Sequence, residues 1–320
     1  MLEVRDVALR PGAPRFSHAF APGEVCVVLG PNQSGKTNLC RLIAGLPTEA
    51  EGQVSIDGLS LQEVPVRRRP VAMVYQAFIN YPNLTVAQNI ASPLRAQGVA
   101  LDEINLQVRE LAAKTGIDTL LGRRPDELSG GQQQRLAIAR ALAKRARVLL
   151  LDEPLVNLDF KLREALEQEL AQLLKDSDTV VIYTSSDPRD AFTLGNELVL
   201  LVDSTVQQVG KPLHVYRSPD SLLAMELLSD PGVNCFERGG QQCAVRPEHI
   251  DVVGSATPSA EVDRLDFTMQ VTALETNGDE SIVHGLVEQR EWVVRCPGIV
   301  HTASGEALAL SVRQADVAAF

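Results

Sequence analysis

GPNQSGKT, at residues 30–37, is the stretch that decides the fold, and it matches the pattern GxxxxGK[ST]. The apolar run VCVVLG begins at Val25, directly before this stretch, and residues 35–46 follow it with apolar side chains at helical spacing. A strand, a glycine-bearing loop and a helix in this order are the context in which the pattern binds phosphate. The stretch therefore predicts a phosphate loop, and the alternative is a chance glycine-rich turn.

The residue types of this loop suit a nucleoside triphosphate with Mg²⁺. Backbone N–H groups and the helix N-terminus surround the phosphates, Lys36 reaches the β and γ oxygens, and the Thr37 hydroxyl binds Mg²⁺. The predicted nucleotide contacts are Gly30, Pro31, Asn32, Gln33, Ser34, Gly35, Lys36, Thr37 and Asn38.

In the segment VLLLDEP, at residues 148–154, two acids end an apolar run. Ligands of α/β proteins bind at the carboxyl ends of the strands. We expect Asp152 to hold Mg²⁺ and Glu153 to orient and deprotonate the attacking water, because phosphoryl transfer needs positioning and charge neutralisation. A DE pair alone is a weak signal, and the phosphate loop upstream strengthens it.

The order of apolar segments predicts an α/β fold. Buried-strand runs at residues 148–154 and 179–186 flank a stretch of helical period at 160–175, which favours a parallel sheet. Residues of about 77–146 are mostly helical in pattern and predict an inserted helical subdomain.

The pattern changes after about residue 233. Short strands bounded by Gly, Pro, Asn and Asp predict a small all-β domain at 234–320, following a nucleotide-binding domain at 1–233. A chain of 320 residues is long enough for two such cores.

Composition excludes several classes of partner. The net charge is −11, and the basic residues are scattered apart from Arg67, Arg68 and Arg69, so no nucleic-acid partner is expected.

No apolar stretch reaches the ~18 residues that span a bilayer, so a membrane role has to come through a partner. Five cysteines without a CxxC pair or a neighbouring His pattern predict reduced thiols in the cytosol.

LSGGQQQR, at residues 128–135, precedes a run of helical period. Ser129 suits a helix N-cap, and the two glycines after it leave the backbone amides bare. Two interpretations stay open here, a capped helix start and a second anion-binding helix N-terminus.

LSGGQQQR, the phosphate loop and VLLLDEP, at this spacing, resemble the ABC transporter ATPase family. The resemblance implies ATP as the nucleotide and two such domains closing head to tail around two ATP molecules. Gln76 resembles the Q-loop glutamine, which touches Mg²⁺ and senses the membrane subunits. The residues that would act in trans, on the ATP held by the other subunit, are Ser129, Gly130, Gly131, Gln132 and Asp159.

Three further segments, at 75–95, 209–219 and 244–252, are similar to the carbohydrate-importer branch of this family. That branch carries an OB-like C-terminal β-barrel, transmembrane permease subunits and an extracytoplasmic solute-binding protein. The resemblance implies a peripheral protein at the cytoplasmic face of the inner membrane. The FINYP stretch and the departures described next are most like glycerol-uptake ATPase subunits.

The chain departs from the family pattern at a few positions. Ser186 stands where the family has the switch histidine that holds the γ-phosphate, Gln33 stands where this branch usually has Gly, and Asn38 where it usually has Thr. Loss of a charge-assisted hydrogen bond of about 1.5–3 kcal/mol would slow hydrolysis roughly 10- to 100-fold. Phe16 is a candidate for stacking on adenine, with a core position as the alternative.

Two questions about function stay open. An intact signature beside a missing histidine favours a heterodimer with a second ATPase subunit, and a homodimer that tolerates Ser186 is the alternative. Transport is favoured over a non-transport ABC ATPase or a regulatory nucleotide-binding module, because the chain has one cassette and no coiled-coil insertion.

Overall fold

The structure is a computed structural model that describes residues 1–155, 163, 167, 170, 178–253 and 263–320. The chain divides into two compact units, Met1–Val215 and Tyr216–Phe320. The functional boundary between residues 233 and 234 stays a prediction. No helix in the described ranges is both long and apolar enough to cross a membrane.

The elements alternate in the order that the apolar pattern predicts, except that most of the helical stretch predicted at 160–175 lies outside the described residues. The first ten strands are β1 (Leu2–Ala8), β2 (Phe16–Phe20), β3 (Val25–Leu29), β4 (Glu51–Ile56), β5 (Leu59–Ser60), β6 (Val71–Val74), β7 (Val148–Asp152), β8 (Val180–Ser185), β9 (Glu197–Val202) and β10 (Thr205–Gly210). Where the structure describes whole helices, these are α1 (Lys36–Ala44), α2 (Val86–Ala96), α3 (Leu101–Lys114), α4 (Gly130–Ala143), α5 (Pro188–Leu194), α6 (Pro212–Arg217) and α7 (Leu222–Leu227). Short 3-10 turns lie at Val66–Arg68, Asp118–Leu120, Pro125–Glu127, Pro247–His249 and Gln314–Asp316.

A six-stranded sheet in the order β10-β9-β3-β8-β7-β6 forms the centre of the first unit. All its pairs are parallel except the edge pair of β10 with β9, so the predicted parallel sheet is confirmed. Every residue of β3 and β7 is buried, as expected for strands covered on both faces. Leu29 is paired with Ser185, and Asp152 with Thr184, so the phosphate loop and the two acids flank the carboxyl end of β8.

The predicted helical insertion is confirmed. Helices α2, α3 and α4 lie between β6 and β7, which pair directly with each other in the sheet. The insertion has its own apolar core, in which Ile90, Leu94 and Leu136 are buried almost completely. Burial of this amphipathic face explains why the three helices form one compact body beside the sheet.

A second sheet of the first unit, in the order β2-β1-β4-β5, is antiparallel. The alternating pattern predicted β1 alone, not the sheet around it. Leu2 and Val4 of β1 share one core with Val28 of β3 and Leu39 of α1, so both sheets enclose the same apolar layer. The helix face predicted for α1 is therefore buried where expected.

The second unit is built on antiparallel strands, which confirms the predicted all-β, OB-like region. Its strands are β11 (Asn234–Arg238), β12 (Gln241–Val245), β13 (Ile250–Val252), β14 (Arg264–Thr276), β15 (Glu280–Val287), β16 (Arg290–Pro297), β17 (Ala307–Arg313) and β18 (Ala318–Ala319). They form sheets in the orders β11-β12-β18 and β13-β17-β14-β15-β16. Phe236, Phe267 and Trp292 pack together in the core, with ring centroids 4.8–5.9 Å apart.

Candidate functional site

Glycines give the loop between β3 and α1 its shape. A Cβ on Gly30 would lie 2.0 Å from the Leu201 carbonyl oxygen, so no side chain fits there. Gly35 has φ 103°, a left-handed conformation, and no side chain caps the helix that begins after it. The first N–H groups of α1 are therefore free of a capping side chain, as a phosphate cradle requires.

Lys36 is held inside the loop and is only 3% exposed. Its Nζ donates to the carbonyl oxygens of Gly30 at 2.7 Å and Pro31 at 2.8 Å. The same Nζ lies 3.1 Å from a carboxylate oxygen of Glu153. The loop and the second acid, predicted separately from the sequence, thus meet at one ammonium group.

Thr37 and Asp152 form the second half of the site. The Thr37 hydroxyl donates to Oδ1 of Asp152 at 3.1 Å, and the Thr184 hydroxyl donates to the same oxygen at 2.9 Å. Burial raises the pKa of Asp152, although these two hydrogen bonds oppose the rise. A buried carboxylate beside a hydroxyl is the hard oxygen donor set that Mg²⁺ prefers.

Glu153 has an unusual backbone, with φ 46° in a residue that is not glycine. Its N–H donates to the Thr184 hydroxyl at 3.0 Å, which fixes the turn after β7. Its second carboxylate oxygen accepts from Nε2 of Gln76 at 3.3 Å. A left-handed non-glycine residue carries a strain of about 1–3 kcal/mol, and such outliers cluster at functional sites.

A cavity of about 580 Å³ opens over the loop. Its lining includes the predicted residues Asn32, Gln33, Gly35, Lys36, Thr37, Asn38, Gln76 and Glu153. Ser34 Oγ is buried and has no hydrogen-bond partner within the described part of the chain. An unpartnered hydroxyl, bare helix N–H groups and a buried ammonium all fit a bound triphosphate.

Three cavity residues were not predicted, namely Arg10, Glu49 and Ser204. Each comes from a separate loop outside the phosphate-loop motif, so no local pattern marks them. Phe16 packs against the core of the two sheets, in agreement with the alternative interpretation of that residue. The exposed Arg10 contributes to the cavity on the same side of the molecule as the loop.

The two loop departures from the family pattern fit the backbone. Gln33 has φ 65°, a left-handed value that glycine adopts without strain. Asn38 donates from its side-chain amide to the Leu9 carbonyl oxygen at 3.0 Å, which ties α1 to the end of β1.

Ser186 is exposed and shares a small cavity of about 20 Å³ with Glu153. The neighbouring Ser185 donates to the Asp190 carboxylate, which also accepts from Arg163 at 2.7 Å. The chain therefore places Ser186, rather than an imidazole, next to the predicted catalytic carboxylate.

The signature segment starts a helix, which confirms the predicted N-cap. The Ser129 hydroxyl accepts from the Gln132 N–H at 3.4 Å, and the Gln132 side-chain oxygen accepts from the Ser129 N–H at 3.0 Å. Among the described residues, the lining of the phosphate-loop cavity takes no side chain from 129–132. Asp159 lies outside the described residues.

Helix α4 is linked to both sides of the candidate site. The Gln134 amide donates to the carbonyl oxygen of Pro154, directly after Glu153. Asn80 lies four residues after Gln76, and its side-chain amide donates to the Gln133 carbonyl oxygen at 2.9 Å. Hydrogen bonds thus connect the signature helix to the segments that carry Glu153 and Gln76.

Family models and relatives agree with this geometry. The ABC transporter model matches residues 14–156, and the TOBE domain model matches 243–320. An sn-glycerol-3-phosphate import ATP-binding protein from Rhodopseudomonas palustris is 35% identical over 83% of this chain and 77% of its own. A sulfoquinovosyl glycerol transport ATP-binding protein from Agrobacterium fabrum is 33% identical over 93% of this chain and 90% of its own.

Solved structures give the same result for the fold. A dimeric ATP-binding cassette in a post-hydrolysis state, bound to ADP and Pi, superposes with a TM-score of 0.58 at 28% identity. The match covers 66% of this chain and 99% of that one.

Proposed function

Because the chain belongs to the ABC transporter family of ATPases, we propose that it couples ATP hydrolysis to the import of a small polyol or carbohydrate. Glycerol or glycerol phosphate is favoured, since the relatives named above are ATP-binding proteins for sn-glycerol-3-phosphate import and for sulfoquinovosyl glycerol transport. The observation that carries the proposal is the meeting of Lys36 with Glu153, 3.1 Å apart, beside Thr37 and Asp152.

Lys36 and the loop N–H groups bind the phosphates of ATP in this proposal. Thr37, Asp152 and Gln76 would hold Mg²⁺, which supplies charge neutralisation at the phosphate oxygens. Lys36 and Glu153 now neutralise each other in a site with little exposed side-chain surface. A triphosphate that takes Lys36 from Glu153 releases the carboxylate, which can then accept a proton from the attacking water.

Gln76 connects this chemistry to the rest of the chain. Its amide donates to Glu153, and the segment that follows it is hydrogen-bonded to α4 through Asn80. A change in the position of Glu153 on ATP binding would therefore be transmitted to the signature segment. Ser129, Gly130, Gly131 and Gln132 act on the ATP of a second ATPase subunit in this proposal, and Asp159 is assigned to the same interface.

The remaining partners are proposed from the family. They are transmembrane permease subunits and an extracytoplasmic solute-binding protein, with this chain bound peripherally at the cytoplasmic face of the inner membrane. Solute stimulation of ATPase activity in the reconstituted transporter, compared across glycerol, glycerol phosphate and a disaccharide, tests the assigned solute. Equal stimulation by all three would remove the glycerol assignment.

Glu153→Gln tests the catalytic assignment. We expect hydrolysis to fall about 10³-fold, within the range of a lost general base, while ATP binding persists. ATP turnover and nucleotide binding are measured on the same preparation. Glu110→Gln, an exposed carboxylate on α3, is the matched control and should leave both unchanged. Retained hydrolysis in Glu153→Gln would contradict the assigned role.

Ser186 supports pairing with a non-identical ATPase subunit whose own switch histidine keeps the other composite site fully active. Differently tagged copies of this chain, expressed with the transporter from its native host, distinguish the two compositions. The proposal expects assembled transporters to contain one copy of this chain and one other ATPase subunit. Recovery of transporters holding both tags would establish the homodimer instead.

A further inference from the structure

Three potential metal ligands meet away from the phosphate loop. They are His18 on β2, Cys26 on β3 and Glu197 on β9, and their ligand atoms all lie within 4.8 Å of one another. His18 Nε2 is 2.9 Å from a carboxylate oxygen of Glu197. As far as the described residues show, none of the three lines the phosphate-loop cavity.

The two sheets hold these side chains in place. Cys26 and Glu197 are paired residues on neighbouring parallel strands, so their side chains leave the same face of the six-stranded sheet. His18 comes from the antiparallel sheet, where its ring packs edge-on against Phe20 with 4.7 Å between ring centroids. Side chains on strands are held in place more precisely than side chains on loops, which favours a preformed set of metal ligands.

The donor set suits zinc. An imidazole nitrogen, a thiolate sulfur and a carboxylate oxygen are the ligand atoms of Zn²⁺, and bond lengths of about 2.0–2.3 Å put tetrahedral ligands roughly 3.3–3.8 Å apart. Ligand atoms within 4.8 Å of one another need only small shifts to reach that spacing, in which the 2.9 Å pair of His18 and Glu197 opens slightly.

The local charge also favours a cation. The carboxylates of Glu197 and Glu24 both act electrostatically on the Cys26 side chain, so the cluster carries negative charge. A divalent ion bound here would offset that charge, and a coordinating thiol would give up its proton to it.

We propose that His18, Cys26 and Glu197 form a Zn²⁺ site that joins the antiparallel sheet to the six-stranded sheet, with water as the fourth ligand. The His18 and Glu197 side chains are 16% and 27% exposed, so an ion and a water molecule can reach the site from solvent. The site is structural and is independent of the proposed nucleotide chemistry. The competing arrangement is a metal-free network in which Glu197 accepts hydrogen bonds from both partners.

Metal titration of the chelator-treated full chain, without nucleotide, tests the proposal. We expect one Zn²⁺ per chain by calorimetry and a higher midpoint of thermal unfolding when Zn²⁺ is present. Co²⁺ substitution should give a sulfur-to-cobalt charge-transfer band in the near ultraviolet. His18→Gln and Glu197→Gln should each weaken binding at least tenfold, and Cys26→Ser should abolish the cobalt band.

Two control variants sit outside the cluster. Cys235→Ser and His214→Gln remove a thiol and an imidazole elsewhere, and both should bind as the unsubstituted chain does. Because His18→Gln and Glu197→Gln leave the thiol in place, they keep the test valid even if Cys26→Ser does not fold. The proposal is overturned by a missing cobalt band, by unchanged affinity in these two variants, or by loss of the band in Cys235→Ser.

Discussion

Helices α1 and α4 begin in opposite ways, although both N-termini belong to the proposed ATP machinery. Helix α1 starts after Gly35, whose φ of 103° leaves the first turn without a side-chain cap. Helix α4 starts after Ser129, which forms a reciprocal capping box with Gln132. Each helix start has several N–H groups without intrahelical partners. The comparison supports the proposal that α1 is shaped for a ligand in advance, whereas α4 carries its own cap and would act on the ATP of a second subunit.

Gly35→Ala and Gly130→Ala form the sharpest test of this difference. Alanine at 35 would be strained by about 1–2 kcal/mol in the left-handed region and would place its Cβ 3.1 Å from Leu9. A rearranged loop that loses two charge-assisted bonds of about 1.5–3 kcal/mol each should weaken ATP binding about 10³-fold. Equilibrium binding of a fluorescent ATP analogue measures the effect.

Gly130 is the matched position in the other helix. A Cβ there meets no atom within 4 Å, and Gly130 is absent from the positive-φ glycines of the described chain. Gly130→Ala should therefore leave nucleotide affinity unchanged in the isolated chain and should not lower the midpoint of unfolding, since alanine suits a helix better than glycine. Equal losses in the two variants would show that the two helix starts are not specialised as proposed.

Asp152→Asn tests how the first turn of α1 is anchored to β7. The Asn oxygen can still accept from Thr37 and Thr184, but its charge is lost. We expect hydrolysis to fall about 100-fold, because an uncharged amide would hold Mg²⁺ more weakly, and that ion would neutralise the transition-state charge. Steady-state ATPase assays at saturating Mg²⁺ check this, with the exposed Asp178→Asn as control.

The same variant has a defined dependence on pH. Burial raises the pKa of Asp152 above its ordinary 3.8, so the charged form of this side chain is less favourable in the folded protein than in the unfolded chain. Below the pKa that Asp152 has in the unfolded chain, this side chain contributes fully to the stability of the wild type. The contribution is lost as the pH rises through the pKa of Asp152 in the folded protein. Without ligand, Asp152→Asn should therefore unfold at a higher temperature than wild type at neutral pH, and the gap should shrink in acid. A variant that unfolds earlier than wild type at neutral pH contradicts the burial argument.

Sequence alone predicted the residues whose chemistry follows from a local pattern. The phosphate loop needs strand, glycine loop and helix in order, so Lys36 and Thr37 were identifiable at once. Asp152 and Glu153 were identifiable because a buried strand ends at them. The roles assigned to these residues stay predictions, although the structure brings their side chains together.

Contacts between residues that are distant in sequence leave no local pattern from which they could be predicted. Thr184 binds both Asp152 and the Glu153 N–H, yet nothing in the run TVVIYTSS marks that hydroxyl. Cys26 and Glu197 are 171 residues apart and become neighbours only through the β3–β9 pairing. The antiparallel sheet was likewise missed beyond β1, because β2 and β4 are short strands with weak alternation.

Ser129→Ala gives the smallest expected effect and examines α4 directly. Loss of the N-cap hydroxyl costs about 1 kcal/mol of stability, and the loss of a contact to the partner's ATP should lower hydrolysis about tenfold in the assembled transporter. Nucleotide affinity of the isolated chain should stay the same, because the capped helix start contributes nothing to the chain's own phosphate-loop cavity. Ser129→Asn separates the two roles, since Asn also caps helices well. If Ser129→Asn restores stability but not hydrolysis, the hydroxyl acts on a ligand; if it restores both, Ser129 is a helix cap only.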